Sequence, residues 1–167
     1  MGNLSRIDHQ LSLGIHSLLG KHSESKWWKI LEFSGSQTGY PLIVLFQFLL
    51  LVRWRSILVQ TMQIIGITLI MMTVKPVVAR KRPESPTPKE VSHYYDNFSF
   101  PSGHATRAGV IVAVSILTTN FWLVLLLWGV FVSLSRVAVL HHYLGDVIAG
   151  FLAGLIFSLL TFNVIPN

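Results

Sequence analysis

Residues 108–135 read AGVIVAVSILTTNFWLVLLLWGVFVSLS, without one charged side chain. A run this long and apolar is a membrane-crossing signal. Two shapes fit it. As one straight helix it sets the flanking His104 and Arg136 about 48 Å apart, at 1.5 Å per residue. Broken at Thr118-Thr119-Asn120, it becomes a hairpin of two short spans. The hairpin returns Arg136 to the membrane face where His104 starts, and it is the reading adopted here.

The remaining uncharged runs fall into the same pattern. Half of the 167 residues are hydrophobic (51%) and 12% are charged, against roughly a quarter in soluble domains. A first span is expected from about Gln37 to Val52, with Pro41 near its start, where proline is tolerated. Arg53 and Arg55 make a basic turn. A second span follows from Ser56 to Ala79, and a last one from about Leu144 to Phe162. Gly145, Gly150 and Gly154 in that last span permit close helix contact. The expected fold is all-α: a polytopic transmembrane helix bundle of about five spans.

Ahead of the spans, Leu4, Ile7, Leu11, Ile15 and Leu18 recur at helical spacing. This reads as an amphipathic helix in the membrane interface. Trp27 and Trp28 are interface anchors. The chain is read as a single domain over 1–167, with an interfacial segment (1–33) and a bundle carrying the site (34–167). Pro83 to Pro101 is a polar, proline-broken loop with four aromatics. It is either an interfacial loop or a lid over a lipid headgroup.

The net charge is +6. Basic residues cluster at span ends rather than in a tail, so anionic lipid headgroups are favoured over nucleic acid as partners. The chain has no cysteine, which excludes thiol catalysis and disulfides. The start lacks the pattern of a cleaved signal peptide.

Ionisable groups inside an apolar chain are costly and mark function. They gather in three stretches: KPVVARKRP (75–83), PSGH (101–104) and SRVAVLHHYLGD (135–146). His142 and Asp146 are four apart and share a helical face. An aspartate bonded to one ring nitrogen fixes the tautomer and leaves the other nitrogen free to attack. A plain structural bond explains the same spacing. Ser102-Gly103 opens a helix, where free backbone N–H groups attract anions; serine also caps helices without any further role. His104 is placed to protonate a departing oxygen. Lys75 and Arg82, two turns apart, can face one way and neutralise phosphoryl oxygens together with Arg136. Arg80, Lys81 and Arg107 are read as side chains snorkelling to headgroups, and His141 as pointing elsewhere. No carboxylate cluster suits a metal, so no cofactor is expected. The set reads as metal-independent phosphoryl transfer through a phosphohistidine.

On these residues the chain resembles the type 2 phosphatidic acid phosphatase family, which shares its site with vanadium haloperoxidases. The pattern K-x6-R-P, P-S-G-H and S-R-x5-H-x3-D is met in order by Lys75, Arg82, Pro83, Pro101, Ser102, Gly103, His104, Ser135, Arg136, His142 and Asp146. Each position matches by chance roughly once in twenty, which removes coincidence. The resemblance implies that His142 is the nucleophile, oriented by Asp146, and that His104 protonates the leaving group. Lys75, Arg82, Ser102, Gly103 and Arg136 then bind phosphate. It also implies six spans, where this chain shows five, and a site on the extracytoplasmic face of a bacterial-type plasma membrane, with the C-terminus inside. The substrates it implies are isoprenoid diphosphates, phosphatidylglycerophosphate, phosphatidic acid or the 1-phosphate of lipid A. The basic motif side favours a strongly anionic headgroup. The alternatives are a lipid phosphotransferase, a vanadate haloperoxidase or a non-enzymatic anion or lipid carrier.

Overall fold

The structure, a computed structural model, describes residues 3–50, 52–83 and 97–162. Among them are seven α-helices and no strand. They are α1 (Asn3–Leu19), α2 (Lys26–Ser34), α3 (Tyr40–Leu49), α4 (Trp54–Val78), α5 (Gly103–Thr118), α6 (Trp122–Ala138) and α7 (Leu144–Thr161). Residues 84–96, most of the expected loop or lid, lie outside the described residues.

The break at Thr118-Thr119-Asn120 is present. Thr118 bonds back to the Val114 carbonyl and Thr119 to that of Ser115, so the polar trio satisfies the carbonyls of the closing turn. α6 then runs back beside α5. The first expected span is shorter than its apolar run: α3 covers only Tyr40–Leu49, about 15 Å. The chain before it folds as α2, which ends at Gly35. Two helices, α4 and α7, are long and apolar enough to cross a bilayer by themselves; α3, α5 and α6 are shorter apolar helices.

α5 is the centre of the bundle, with every residue from Ala105 to Ser115 buried. Its contact with α7 depends on missing side chains. A methyl on Gly109 would strike the Phe151 carbonyl, and one on Gly154 would strike that of Thr106. Backbone can therefore approach backbone. One apolar cluster joins Ile43, Ile64, Ile67, Val110, Ile111 and Leu125 across α3 to α6. A second joins Ala105, Val137 and Val147 nearer the site.

The polarity is inverted relative to a soluble protein. Leu45, Phe48, Ile65, Leu69, Leu127, Phe131, Leu152 and Ile156 face outward, far more apolar surface than a soluble monomer exposes. Amides lie inside. Gln47 and Gln60 exchange two hydrogen bonds at 2.9 and 3.0 Å between α3 and α4. Gln63 of α4 pairs with Ser158 of α7. Interhelical polar bonds of this kind hold helices together in lipid.

α1 obeys the same inversion. Leu4, Ile7, Leu11 and Leu18 stay exposed, while Asp8 and Ser12 turn toward the start of α7. Ser12 Oγ accepts the Leu144 N–H at 2.9 Å, and Asp8 Oδ1 accepts that of Gly145 at 2.8 Å. His16 Nδ1 bonds the Ala138 carbonyl at 2.6 Å. A helix start leaves its first N–H groups without partners, and α1 supplies two acceptors to α7. Gly145 therefore faces Asp8, whereas Gly150 and Gly154 face α5.

Candidate active site

Four segments meet at one end of the bundle: the end of α4, the start of α5, the α6–α7 turn and the start of α7. The turn is shaped by Leu140, which adopts a left-handed conformation at φ 53°. The chain thereby curls back, and the N–H groups of His141 and His142 both reach the Arg136 carbonyl, at 3.1 and 3.2 Å. His142 thus returns beside the last turn of α6.

His142 is buried, and its Nδ1 lies 2.7 Å from the Ser99 carbonyl oxygen. A carbonyl only accepts, so Nδ1 carries the proton, and in the neutral ring Nε2 keeps its lone pair. The expected direct bond to Asp146 is not made: its Oδ2 stands 3.9 Å from Nδ1, beyond hydrogen-bond reach. Asp146 instead closes the first turn of its own helix. Its Oδ2 accepts the Tyr143 N–H at 2.9 Å, and its Oδ1 accepts Arg80 at 2.6 Å. The i, i+4 spacing brings the two residues together, but a helix N-terminus competes for the carboxylate and wins.

The cations surround His142. Burial pushes its imidazole well below the ordinary range, and Arg136, Arg82 and Lys75 push the same way. Lys75 is buried in the last turn of α4. Arg82 does not share a helical face with it, because α4 ends at Val78 and Ala79 turns left-handed. Arg82 arrives from the following segment and donates to the His141 carbonyl at 3.2 Å.

Ser102 and Gly103 bear on the choice between cap and ligand site. Ser102 occupies the N-cap of α5 but makes no side-chain cap bond. Its Oγ is buried without a partner among the described residues, as is Nε of Arg136. Orphaned buried donors of this kind need an explanation, and phosphoryl oxygens would supply one. A methyl on Gly103 would meet only Arg107, at 3.5 Å, so the space above it is open. The Ser102 N–H donates to the Asp146 carbonyl at 3.0 Å, tying the start of α5 to the start of α7. His104 follows on α5, within electrostatic reach of Arg136, Arg107, His141 and His142.

Several contributors were not legible from spacing. Glu32 of α2 forms an ion pair with Arg136. Its signal was an acid inside the apolar run around it, which is costly without a partner. His141 does not point away, since its Nδ1 meets the Arg136 guanidinium. Arg107 is not a snorkelling side chain. It is 8% exposed and donates twice to the Gly35 carbonyl, at 3.0 and 3.2 Å. Gly35 presses against Val132 and His104, so the α2–α3 turn forms a wall of the site. Arg80, also read as snorkelling, pairs with Asp8 at 2.7 Å and with Asp146 at 2.6 Å.

The sequence model of the PAP2 superfamily matches residues 54–167. Lipid A 1-phosphatase of Rhizobium johnstonii is 41% identical over 64 residues, 38% of this chain and 26% of that protein. The corresponding protein of Rhizobium etli is 41% identical over 64 residues, 38% of this chain and 28% of its own length. The chain thus matches only about a quarter of the length of these curated relatives. Among solved structures, LpxE of Aquifex aeolicus superposes with a TM-score of 0.69 at 23% identity, covering 92% of this chain and 93% of the other. A transmembrane PAP2-type phosphatidylglycerolphosphate phosphatase from Bacillus subtilis superposes at 0.70 and 21% identity, covering 98% and 87%. These two show that the fold is shared.

Proposed function

The chain belongs to the PAP2 superfamily, and from that premise we propose that it is a membrane lipid phosphate phosphatase working through a phosphohistidine. The observation that carries the mechanism is the Nδ1–H of His142 held on the Ser99 carbonyl. It leaves Nε2 as the nucleophilic nitrogen, amid the charges of Arg136, Arg82 and Lys75.

In the reaction, Nε2 of His142 attacks phosphorus, and the bond to the lipid oxygen breaks. His104 gives that oxygen its proton, the lipid alcohol departs, and His104 is left as a base. Lys75, Arg82, Arg136, the Ser102 hydroxyl and the N–H groups opening α5 hold the equatorial oxygens as charge shifts onto them. Water, deprotonated by His104, then attacks the phosphohistidine. Inorganic phosphate leaves, and His142 is restored. Fixed cations and N–H groups meet the phosphoryl charge in this scheme, and the reaction is read as metal-independent.

The substrate proposed is a strongly anionic lipid phosphate, with lipid A 1-phosphate first and isoprenoid diphosphate, phosphatidylglycerophosphate and phosphatidic acid behind it. The names of the Rhizobium relatives and the cationic site support that order. The bundle is read as one domain of about five spans, the first from about Gln37 to Val52. The site lies at the extracytoplasmic face of a plasma membrane, with the C-terminus inside. The outward apolar side chains support insertion in a bilayer.

The test is phosphate release in detergent with EDTA present, from a panel of these lipids, with His142→Ala beside the wild type. Release that survives EDTA and is lost in the variant supports the reading, and the fastest lipid identifies the substrate class. Release that persists in His142→Ala, or that needs an added metal, overturns the mechanism.

A further inference from the structure

Arg80 occupies one of the six unspecified positions between Lys75 and Arg82, so the family motif gives it no role. Its surroundings do. One arm of its guanidinium donates to Asp146 Oδ1 at 2.6 Å, the other to Asp8 Oδ2 at 2.7 Å. Its Cζ lies over the Tyr143 ring, 3.9 Å from the ring centre, a geometry that attracts a cation. Its backbone carbonyl accepts the Ser99 N–H at 2.8 Å and the Ser99 hydroxyl at 3.2 Å. The carbonyl of that same Ser99 orients His142.

We propose that Arg80, anchored by Asp8 of α1, is a positioning residue for His142. Through its side chain it holds the Asp146 carboxylate. Through its backbone it holds the carbonyl that fixes the imidazole tautomer. Asp8 completes the frame by accepting both from Arg80 and from the Gly145 N–H. The N-terminal helix is then part of the catalytic framework rather than a separate membrane anchor. Asp146 is fully buried, and Asp8 and Arg80 are mostly so, which shields this acid–base–acid chain from solvent screening. The inference rests on the phosphatase reading for its kinetic consequence but not for its geometry.

The experiment uses the full chain in detergent with a micellar lipid phosphate. It compares wild type, Asp8→Asn, Arg80→Gln, Arg80→Lys, the Asp8→Asn/Arg80→Gln double variant and Gln63→Ala. A displaced nucleophile costs about 10- to 100-fold in turnover. Asp8→Asn and Arg80→Gln should each lose that much in kcat while KM stays within about twofold. Arg80→Lys should recover part of the loss. The double variant should be no worse than Arg80→Gln, because both residues act through one frame. Gln63→Ala loosens α4 from α7 at the end of the bundle away from Arg80, so it should lower the unfolding temperature and keep kcat. A second readout needs no turnover: the 15N ring signals of His142. The wild type should show a bonded Nδ1–H, which shifts or broadens in Asp8→Asn. Unchanged kcat in both single variants, parallel kcat loss in Gln63→Ala, or an undisturbed His142 ring signal overturns the proposal. Wild-type protein that releases no phosphate counts against the phosphatase reading alone, and the ring signal still decides the role of Arg80.

Discussion

His142 donates to the backbone carbonyl of Ser99 at 2.7 Å, and the Asp146 carboxylate stands 3.9 Å away. The tautomer of the nucleophile is therefore fixed by the chain just before the P-S-G-H stretch, and the aspartate acts at one remove.

That arrangement predicts a moderate effect for Asp146→Asn. In serine proteases, amidation of an aspartate bonded directly to the catalytic histidine costs about 10⁴-fold. Here the amide oxygen can still accept the Tyr143 N–H, and Ser99 still orients the ring. Steady-state phosphate release should fall by about 10²-fold. A loss near 10⁴-fold would mean that the direct bond forms in the reacting complex.

The position of His142 also predicts how stability depends on pH. Its folded value lies well below the ordinary 6.5, first through burial and then through Arg136, Arg82 and Lys75. Above 6.5 the ring is neutral in both folded and unfolded chains. As pH falls below 6.5, the unfolded chain takes up a proton that the folded chain refuses, so stability declines until the lowered value is passed. Each pH unit in that window costs up to about 1.4 kcal/mol. Between pH 7.5 and 5.5 the thermal midpoint in detergent should drop more steeply for the wild type than for His142→Gln. Parallel curves would refute the assignment.

Glu32 and Arg136 form a mostly buried ion pair. Removing one partner of such a pair leaves an uncompensated charge and costs about 3 kcal/mol. Glu32→Gln should therefore lower the unfolding temperature of the ligand-free protein. Inorganic phosphate at millimolar concentration should restore much of it, because the anion takes the place of the carboxylate. A variant as stable as the wild type, or one indifferent to phosphate, would place Arg136 outside the anion site.

Glycine substitutions separate packing from positioning. A methyl on Gly150 would lie 2.7 Å from the Ser102 carbonyl and 3.0 Å from Thr106 Oγ1. Gly150→Ala should cost about 1–3 kcal/mol by overpacking and lower kcat further by moving Ser102. Gly66, mid-helix in α4, meets only Phe157 at 3.5 Å. Gly66→Ala should keep activity and gain up to about 1 kcal/mol from helix propensity. Equal effects on kcat at the two positions would remove Ser102 from the cradle.

The fold was legible where chemistry is local. Thr118, Thr119 and Asn120 marked the hairpin because a polar trio inside an apolar run satisfies helix-end carbonyls. Lys75, Arg82, His104, Arg136, His142 and Asp146 stood out because ionisable groups are rare in this chain. The rest was not legible, because it depends on partners far apart in sequence. Asp8 meets Gly145 and Arg80, and Glu32 meets Arg136; no spacing rule connects them. Ser99 acts through its carbonyl, which every residue carries, and so leaves no trace in the sequence. Arg80 and Arg107 were indistinguishable from snorkelling side chains until their acceptors were placed.

The most direct test of the account is to trap the phosphoryl group. Wild type and His142→Gln would be mixed with lipid phosphate labelled on phosphorus and quenched within a single turnover. The account predicts a stoichiometric label on the wild-type protein, stable to base, lost in acid and mapping to the peptide that contains His142, with none on His142→Gln. Turnover without any protein-bound label, or a label that persists in His142→Gln, would contradict it.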